Sequence, residues 1–114
     1  GNQDMIIDMV QIFKKRRDLI LDGFHMINNI ICDIPKGAFY VFPDISYFLN
    51  KSYKGQPIKT SSDLSLLLLK EQYIVTVSGD CFGSPKNIRF SYATSENTIS
   101  KMIDKTQSLF ALIK

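Results

Sequence analysis

Ile88-Arg-Phe-Ser-Tyr92 sets one arginine inside a short run of apolar and aromatic residues. Side chains on a strand alternate between its two faces, so Ile88, Phe90 and Tyr92 would point one way and Arg89 and Ser91 the other. With helices packed on the apolar face, Arg89 stands on the opposite one. A guanidinium placed there can take a carboxylate through two parallel N–H···O bonds. The plainer alternative is a surface arginine or an ion pair within the domain. On the residues alone, that alternative is the more ordinary one.

Other candidates carry weaker signals. Gly79-Asp-Cys-Phe-Gly83 precedes the arginine strand, and its glycines permit close backbone approach. It lacks a P-loop lysine and a strand–GxGxxG–helix setting, so a tight connection between strands is the better reading than a phosphate cradle. On the strand after Gly37, either Phe39 or Tyr40 packs inward and the other faces away. His25 has no serine or cysteine nucleophile arranged with it and reads as a helix histidine. Lys14-Lys-Arg-Arg17 reads as a solvated helix face rather than a phosphate-backbone contact. The acidic residues are scattered singly, so no carboxylate pair or metal cluster is argued. Cys32 and Cys81 lack CxxC spacing, and with one histidine in the chain a zinc site is not expected; two reduced thiols are.

The elements that must position these residues follow from periodicity. Met5, Ile6, Met9, Val10, Phe13, Ile20, Phe24 and Ile27 recur at helical spacing, which predicts a helix over about 4–28 with Asp4 as its cap and either no break or a kink near Gly23. A Pro35/Gly37 turn leads into a strand at Ala38–Phe42, limited by Pro43. Residues 50–62 are polar, with Gly55 and Pro57, and read as a surface loop. A short helix from Asp63 to Lys70 or Glu71, capped by Ser62 or Asp63, precedes a strand at Tyr73–Val77. The strand at Ile88–Tyr92 follows. A last helix from about Ser95 to Leu112 presents Ile99, Met102, Ile103, Leu109, Phe110 and Ile113 to the sheet. The expected class is α+β, a small sheet of about three strands covered by helices in the order α-β-α-β-β-α.

Residues 1–114 fit a single domain, large enough to bury roughly two-thirds of its unfolded surface. Hydrophobic residues make up 45%, which excludes a disordered chain, and the net charge of +3 is too mild to call for nucleic acid. No apolar run reaches the roughly 18 residues of a membrane span. The opening Gly1-Asn-Gln-Asp is polar, not a signal peptide, and carries no methionine, so a piece of a longer polypeptide is expected.

Four segments together resemble the class I, fold-type I, pyridoxal-phosphate (PLP) aminotransferases of the aspartate aminotransferase type. Ile34-Pro-Lys-Gly-Ala-Phe-Tyr-Val-Phe-Pro43 is similar to that family's P-x-G-A-F-Y-x-F-P segment. Val77-Ser-Gly-Asp-Cys-Phe-Gly83 resembles its V-P-G-x-x-F-G loop, and Ile88-Arg-Phe-Ser-Tyr-Ala-Thr-Ser95 its I-R-I-S-Y-A-T-S strand. Met9 to Asp18 fits M-x-x-x-F-x-x-R-R-D. The segments come in the family's order and near its spacing, and the resemblance spans about Met5 to Ile113. Ser78, where the family usually has proline, and Cys81, where it has a small residue such as alanine, depart from the pattern.

The resemblance implies that the chain is the C-terminal small domain of such an enzyme. Arg89 would bind the substrate α-carboxylate, and Phe39 would line the substrate side of the cleft. The parent enzyme would use pyridoxal 5'-phosphate to move an amino group from an amino acid, aspartate first, to 2-oxoglutarate. Prephenate or aromatic transamination is an alternative within the family. The Schiff-base lysine and the groups that hold PLP belong to the family's large domain, so no cofactor and no transamination are expected of this chain by itself. The parent is expected to be a cytoplasmic homodimer, with neither nucleic acid nor membrane as partner. A different reading, a stand-alone α+β binding module for protein or nucleic acid, would want basic and aromatic residues interleaved on the sheet face, where Arg89 is the sole basic residue of its strand.

Overall fold

The computed structural model describes residues 2–33 and 39–114. Ile34 to Ala38, which include most of the expected Pro35/Gly37 turn and the start of the first strand, lie outside the described residues. Three helices, α1 (Asn2–His25), α2 (Ser61–Gln72) and α3 (Glu96–Phe110), surround five short strands. Strands β1 (Tyr40–Val41), β4 (Val77–Ser78) and β5 (Ile88–Ser91) form an antiparallel sheet in the order β1-β5-β4, and β2 (Lys51–Tyr53) pairs with β3 (Gln56–Ile58) as a separate hairpin. The expected order α-β-α-β-β-α holds, with the hairpin added between β1 and α2.

Alternation governs β5. Ile88, Phe90 and Tyr92 are buried while Arg89 is half-buried and Ser91 exposed. The Phe24 ring of α1 meets Phe90 edge-on at 4.8 Å, so α1 covers the apolar face of the sheet. The C-terminal half of α1 supplies Ile20, Leu21 and Phe24 to the same core that α3 fills with Ile99, Ile103, Leu109 and Phe110. Gly23 lets the two helices approach: a Cβ there would lie 2.3 Å from Cδ1 of Ile103. Helix α1 continues through Gly23 to His25, so the close approach, not a kink, is the use of this glycine. Asp4 sits within the first turn, not at the cap, where its charge complements the helix dipole.

Several boundaries differ from expectation for identifiable reasons. Residues 51–58 form a hairpin instead of an open loop. Lys54 (φ 49°) and Gly55 (φ 81°) both adopt the left-handed conformation that a two-residue turn requires. Helix α2 begins earlier than Asp63, with Thr60 as cap. The Thr60 side chain accepts from the Asp63 N–H, and the Asp63 carboxylate accepts from the Thr60 N–H, a reciprocal capping box. Tyr73 ends α2 in the left-handed region at φ 56° and is not a strand residue; pairing starts only at Val77. The basic run is not fully solvated either. Lys14 and Lys15 are exposed, and Lys15 pairs with Glu96 at 3.4 Å. Arg16 and Arg17 are half-buried, with Arg16 over the Phe13 ring at 5.5 Å and Arg17 paired with Asp18 at 3.3 Å, and the Nε of each is buried. No helix among the described residues is long and apolar enough to cross a membrane.

Gly79 is the tightest glycine among the described residues. A Cβ there would stand 1.9 Å from the Ser84 carbonyl oxygen and 2.5 Å from that of Asn87. Backbone atoms cannot swing aside, so Gly79→Ala should cost about 3 kcal/mol, the upper end for overpacking. At Gly23 the three near atoms, Cδ1, Cγ1 and Cγ2, all belong to buried, β-branched Ile103, which is stiff on its helix. Gly23→Ala should also destabilise, by somewhat less, because alanine regains roughly 1 kcal/mol of helix propensity. Urea midpoints of the two variants test this; a Gly23→Ala chain as stable as the original would contradict the close approach.

Candidate functional site

Arg89 occupies the middle of β5, between β1 and β4, on the face away from α1. Register pairs Val77 with Arg89 and Tyr40 with Ser91, so Tyr40 shares the Arg89 face. The Arg89 guanidinium carbon lies 4.2 Å from the Tyr40 ring centroid and 4.6 Å from that of Phe82. Rings at these distances attract the cation and restrict where it lies. Among the described residues no carboxylate pairs with Arg89, and its Nε is buried without a hydrogen-bond partner. The intradomain ion pair that could have explained this arginine is therefore not made there. The terminal N–H fork of a guanidinium suits a planar acceptor such as a carboxylate.

Phe39 lies elsewhere. Its ring packs at 4.5 Å on Phe13 of α1 and at 6.3 Å on Tyr92, on the helix side of the sheet, with half its surface still exposed. The structure thus brings Tyr40 and Phe82 to Arg89 and places Phe39 at the neighbouring edge, one residue away along β1. Strand alternation implied that Phe39 and Tyr40 diverge; which of them faces the arginine needed the β1–β5 register. Phe82 is the aromatic of the Val77–Gly83 loop pattern, but that it reaches Arg89 follows only from the folded turn.

That turn, Gly79–Phe82, is fastened by hydroxyls. The Ser62 hydroxyl donates to Asp80 Oδ2 at 2.7 Å, and the Ser78 hydroxyl does so at 3.2 Å. The Ser62 backbone N–H also donates to Asp80 Oδ2, at 3.3 Å. Ser78 Oγ in turn accepts from the Asp80 N–H at 3.1 Å and meets the fully buried Ser61 hydroxyl at 2.7 Å. These bonds, the Ser62 hydroxyl foremost, hold the Asp80 carboxyl below its ordinary pKa, against a smaller opposing effect of desolvation.

The remaining sequence candidates have structural partners. His25 Nε2 lies 2.9 Å from the Cys32 carbonyl oxygen, to which a protonated Nε2 donates, at the end of α1. Cys32 is buried and Cys81 exposed, both as free thiols. Burial, with a smaller push from Asp33, raises the Cys32 thiol to about 11. Among the described residues no three side chains are placed to hold a metal ion. A groove of about 390 Å³ between the hairpin and α2, lined by Tyr53, Lys54, Leu67 and Glu71, does not include Arg89.

PLP is the cofactor the resemblance implies. An imine-forming lysine needs a desolvated setting or a neighbouring cation to be reactive. Every described lysine is exposed or only half-buried, so none fits that task.

The two thiols give a direct check on packing. At a pH of about 8, just under the ordinary thiol value, a disulfide reagent should modify Cys81 quickly and Cys32 only on unfolding. Above the unfolded thiol's value of 9.0 the unfolded state loses a proton that folded Cys32 keeps, so its contribution to stability falls as pH rises from there to about 11. Two fast thiols in the folded protein would show that the Cys32 side of the core is open.

Comparison with known proteins bears on the family and the fold. The chain matches the family described as aminotransferase class I and II over residues 2–105. It is 35% identical to an aspartate aminotransferase of Rhizobium meliloti over 92% of its own length and 26% of the relative's. It is 36% identical to a probable aspartate/prephenate aminotransferase of Rhizobium leguminosarum over 94% of this chain and 27% of that one. The crystal structure of the aspartate aminotransferase from Rhizobium meliloti superposes with a TM-score of 0.94 at 32% identity, covering all of this chain and 29% of that one. An aromatic aminotransferase from Pyrococcus horikoshii gives a TM-score of 0.81 at 27% identity, over 96% of this chain and 27% of the other. The chain spans about a quarter of the length of these curated relatives. On residues, fold and likeness together, it belongs to the class I and II aminotransferases.

Proposed function

We propose that residues 1–114 are the C-terminal small domain of a PLP-dependent aminotransferase, in which Arg89 holds the substrate α-carboxylate. One observation carries this reading: a guanidinium with no carboxylate partner among the described residues, held by Tyr40 and Phe82 on the sheet face that α1 leaves uncovered. A fixed fork of this kind orients an amino acid before any bond is broken, and orientation is a large share of catalysis. Phe39, exposed at the adjoining edge, would line the substrate side of the cleft. Arg89 is an open half-site, and a ligand pocket normally encloses most of its ligand. The opposing wall, PLP and the imine-forming lysine are assigned to the rest of the enzyme.

In the whole enzyme this domain would close on the substrate as a lid, excluding water and completing the site. The amino group would pass from aspartate to 2-oxoglutarate. Relatives named aspartate/prephenate aminotransferases favour prephenate as a second acceptor. The residues that would read a second carboxylate are assigned to the large domain, so the choice between these acceptors lies there. We place the enzyme in the cytoplasm as a homodimer, with the isolated chain inactive.

The test uses the intact enzyme that carries this chain. Arg89→Ala and Arg89→Lys should each lower kcat/KM for aspartate with 2-oxoglutarate tens- to thousands-fold, about 2–5 kcal/mol, with PLP still bound. Lysine should not rescue, because a point cation cannot replace a planar fork. An active enzyme indifferent to both changes would remove Arg89 from the substrate.

A further inference from the structure

We propose that Asp80 is a positioning residue for Arg89: clasped by the Ser62 hydroxyl at the start of α2 and the Ser78 hydroxyl at the end of β4, it anchors the Gly79–Phe82 turn and so sets Phe82 against the guanidinium. This deepens the reading of Arg89 as the carboxylate anchor and rests on it.

Three features carry the inference. Phe82 is half exposed, with its ring 6.1 Å from that of Phe42 and 4.6 Å from the Arg89 guanidinium. The core therefore does little to fix this ring, and its place depends on how the turn is fastened. Asp80 is the turn residue whose side chain is tied to another element, with Oδ2 bound to two hydroxyls and to the Ser62 N–H of α2.

Second, α2 does not need Asp80 as a cap. Thr60 and Asp63 already satisfy its N-terminus through the reciprocal capping box. The helix gains little from a further acceptor, whereas the turn gains a fixed point.

Third, Ser78 stands where the resembling loop pattern has proline. Its backbone lies at φ −63° and ψ 138°. Proline adopts that conformation without strain, and would restrict the turn through the chain itself. Serine gives up that restriction and supplies a hydroxyl, which joins Asp80 to α2. The Ser61–Ser62–Ser78–Asp80 cluster replaces covalent stiffness with hydrogen bonds.

The experiment has two arms. In the 114-residue chain, the NMR signal of the Arg89 Nε–H reports the nearby rings, and Phe82→Leu defines its position without the Phe82 ring. Asp80→Ala should move this signal more than half of the way to the Phe82→Leu position. Asp80→Asn, which keeps one acceptor and guards against a folding failure of the alanine variant, should move it part of the way. Acidification should move the wild-type signal in the same direction, below the ordinary carboxylate range, and leave Asp80→Asn still. In the whole enzyme, Asp80→Ala should raise KM for the amino donor roughly three- to tenfold with kcat within about twofold, the pattern of lost uniform binding. Adding Ser61→Ala and Ser78→Pro to Asp80→Ala should bring KM back, since proline restiffens the turn and alanine removes the hydroxyl left unpaired.

An Arg89 signal that stays at its wild-type position in Asp80→Ala and Asp80→Asn, while Phe82→Leu shifts it, overturns the proposal. So does an unchanged KM in Asp80→Ala when Arg89→Ala raises it. If Arg89→Ala leaves kcat/KM unchanged, the functional reading fails and the positioning role for substrate fails with it. The NMR arm still decides separately whether Asp80 sets Phe82 on Arg89.

Discussion

Phe90 and Arg89 are adjacent on a strand, so they cannot share a face. Phe90 is locked beneath α1 by Phe24, and Ile88 and Tyr92 are buried on the same side. Each large apolar side chain held there contributes roughly 1.5–3 kcal/mol relative to exposure. Slipping β5 by one residue would expose all three and push a guanidinium into the core, where an unpaired charge is far more costly than any gain. The direction of Arg89 is therefore set by the packing of its neighbours rather than by contacts of its own. Tyr40 follows from the same constraint, because its register partner is Ser91, on the arginine side of β5. The position of the candidate site is a by-product of how the core closes.

This explains which features were legible in the sequence. The alternation of Ile88–Tyr92 and the helical spacing of Ile99, Ile103 and Phe110 express burial directly, and both held. Ser62 or Asp63 reads as the cap of α2, whereas the cap is Thr60, in a stretch that reads as loop, and Asp63 is the reciprocal partner in its capping box. The hairpin at Lys51–Ile58 was hidden because one of its two left-handed residues is Lys54, not the asparagine or aspartate that usually marks such a turn. Arg16 and Arg17 look solvated by composition, yet both are half-buried, with the Nε of each buried. The contact of Phe82 with Arg89 was not readable at all, since it depends on hydrogen bonds between Ser62 and Asp80, eighteen positions apart in the chain.

The site is also notable for what surrounds it. A cation on an open sheet face is well hydrated, and a carboxylate arriving from water gains little from it alone. The two rings change that balance. They lie 4.2 and 4.6 Å from the guanidinium carbon, so part of the cation is already desolvated before a ligand arrives. Its Nε is buried without a hydrogen-bond partner, as are those of Arg16 and Arg17, so the rings and not the Nε set Arg89 apart.

The hairpin has a property that the loop reading could not have revealed. Ser52 exchanges both of its backbone hydrogen bonds with Lys114, on the side of β2 away from β3. Its register partner across the hairpin is Pro57, whose nitrogen must therefore face out from the far side of β3. That is the one place on β3 where an outward N–H would stand, and proline has none. The hairpin is thus shut at both margins: the β2 margin is occupied by the Lys114 backbone, and the β3 margin is chemically blunted. A third strand from another molecule finds no donor there with which to start a ladder. Replacing Pro57 would restore one outward N–H to β3.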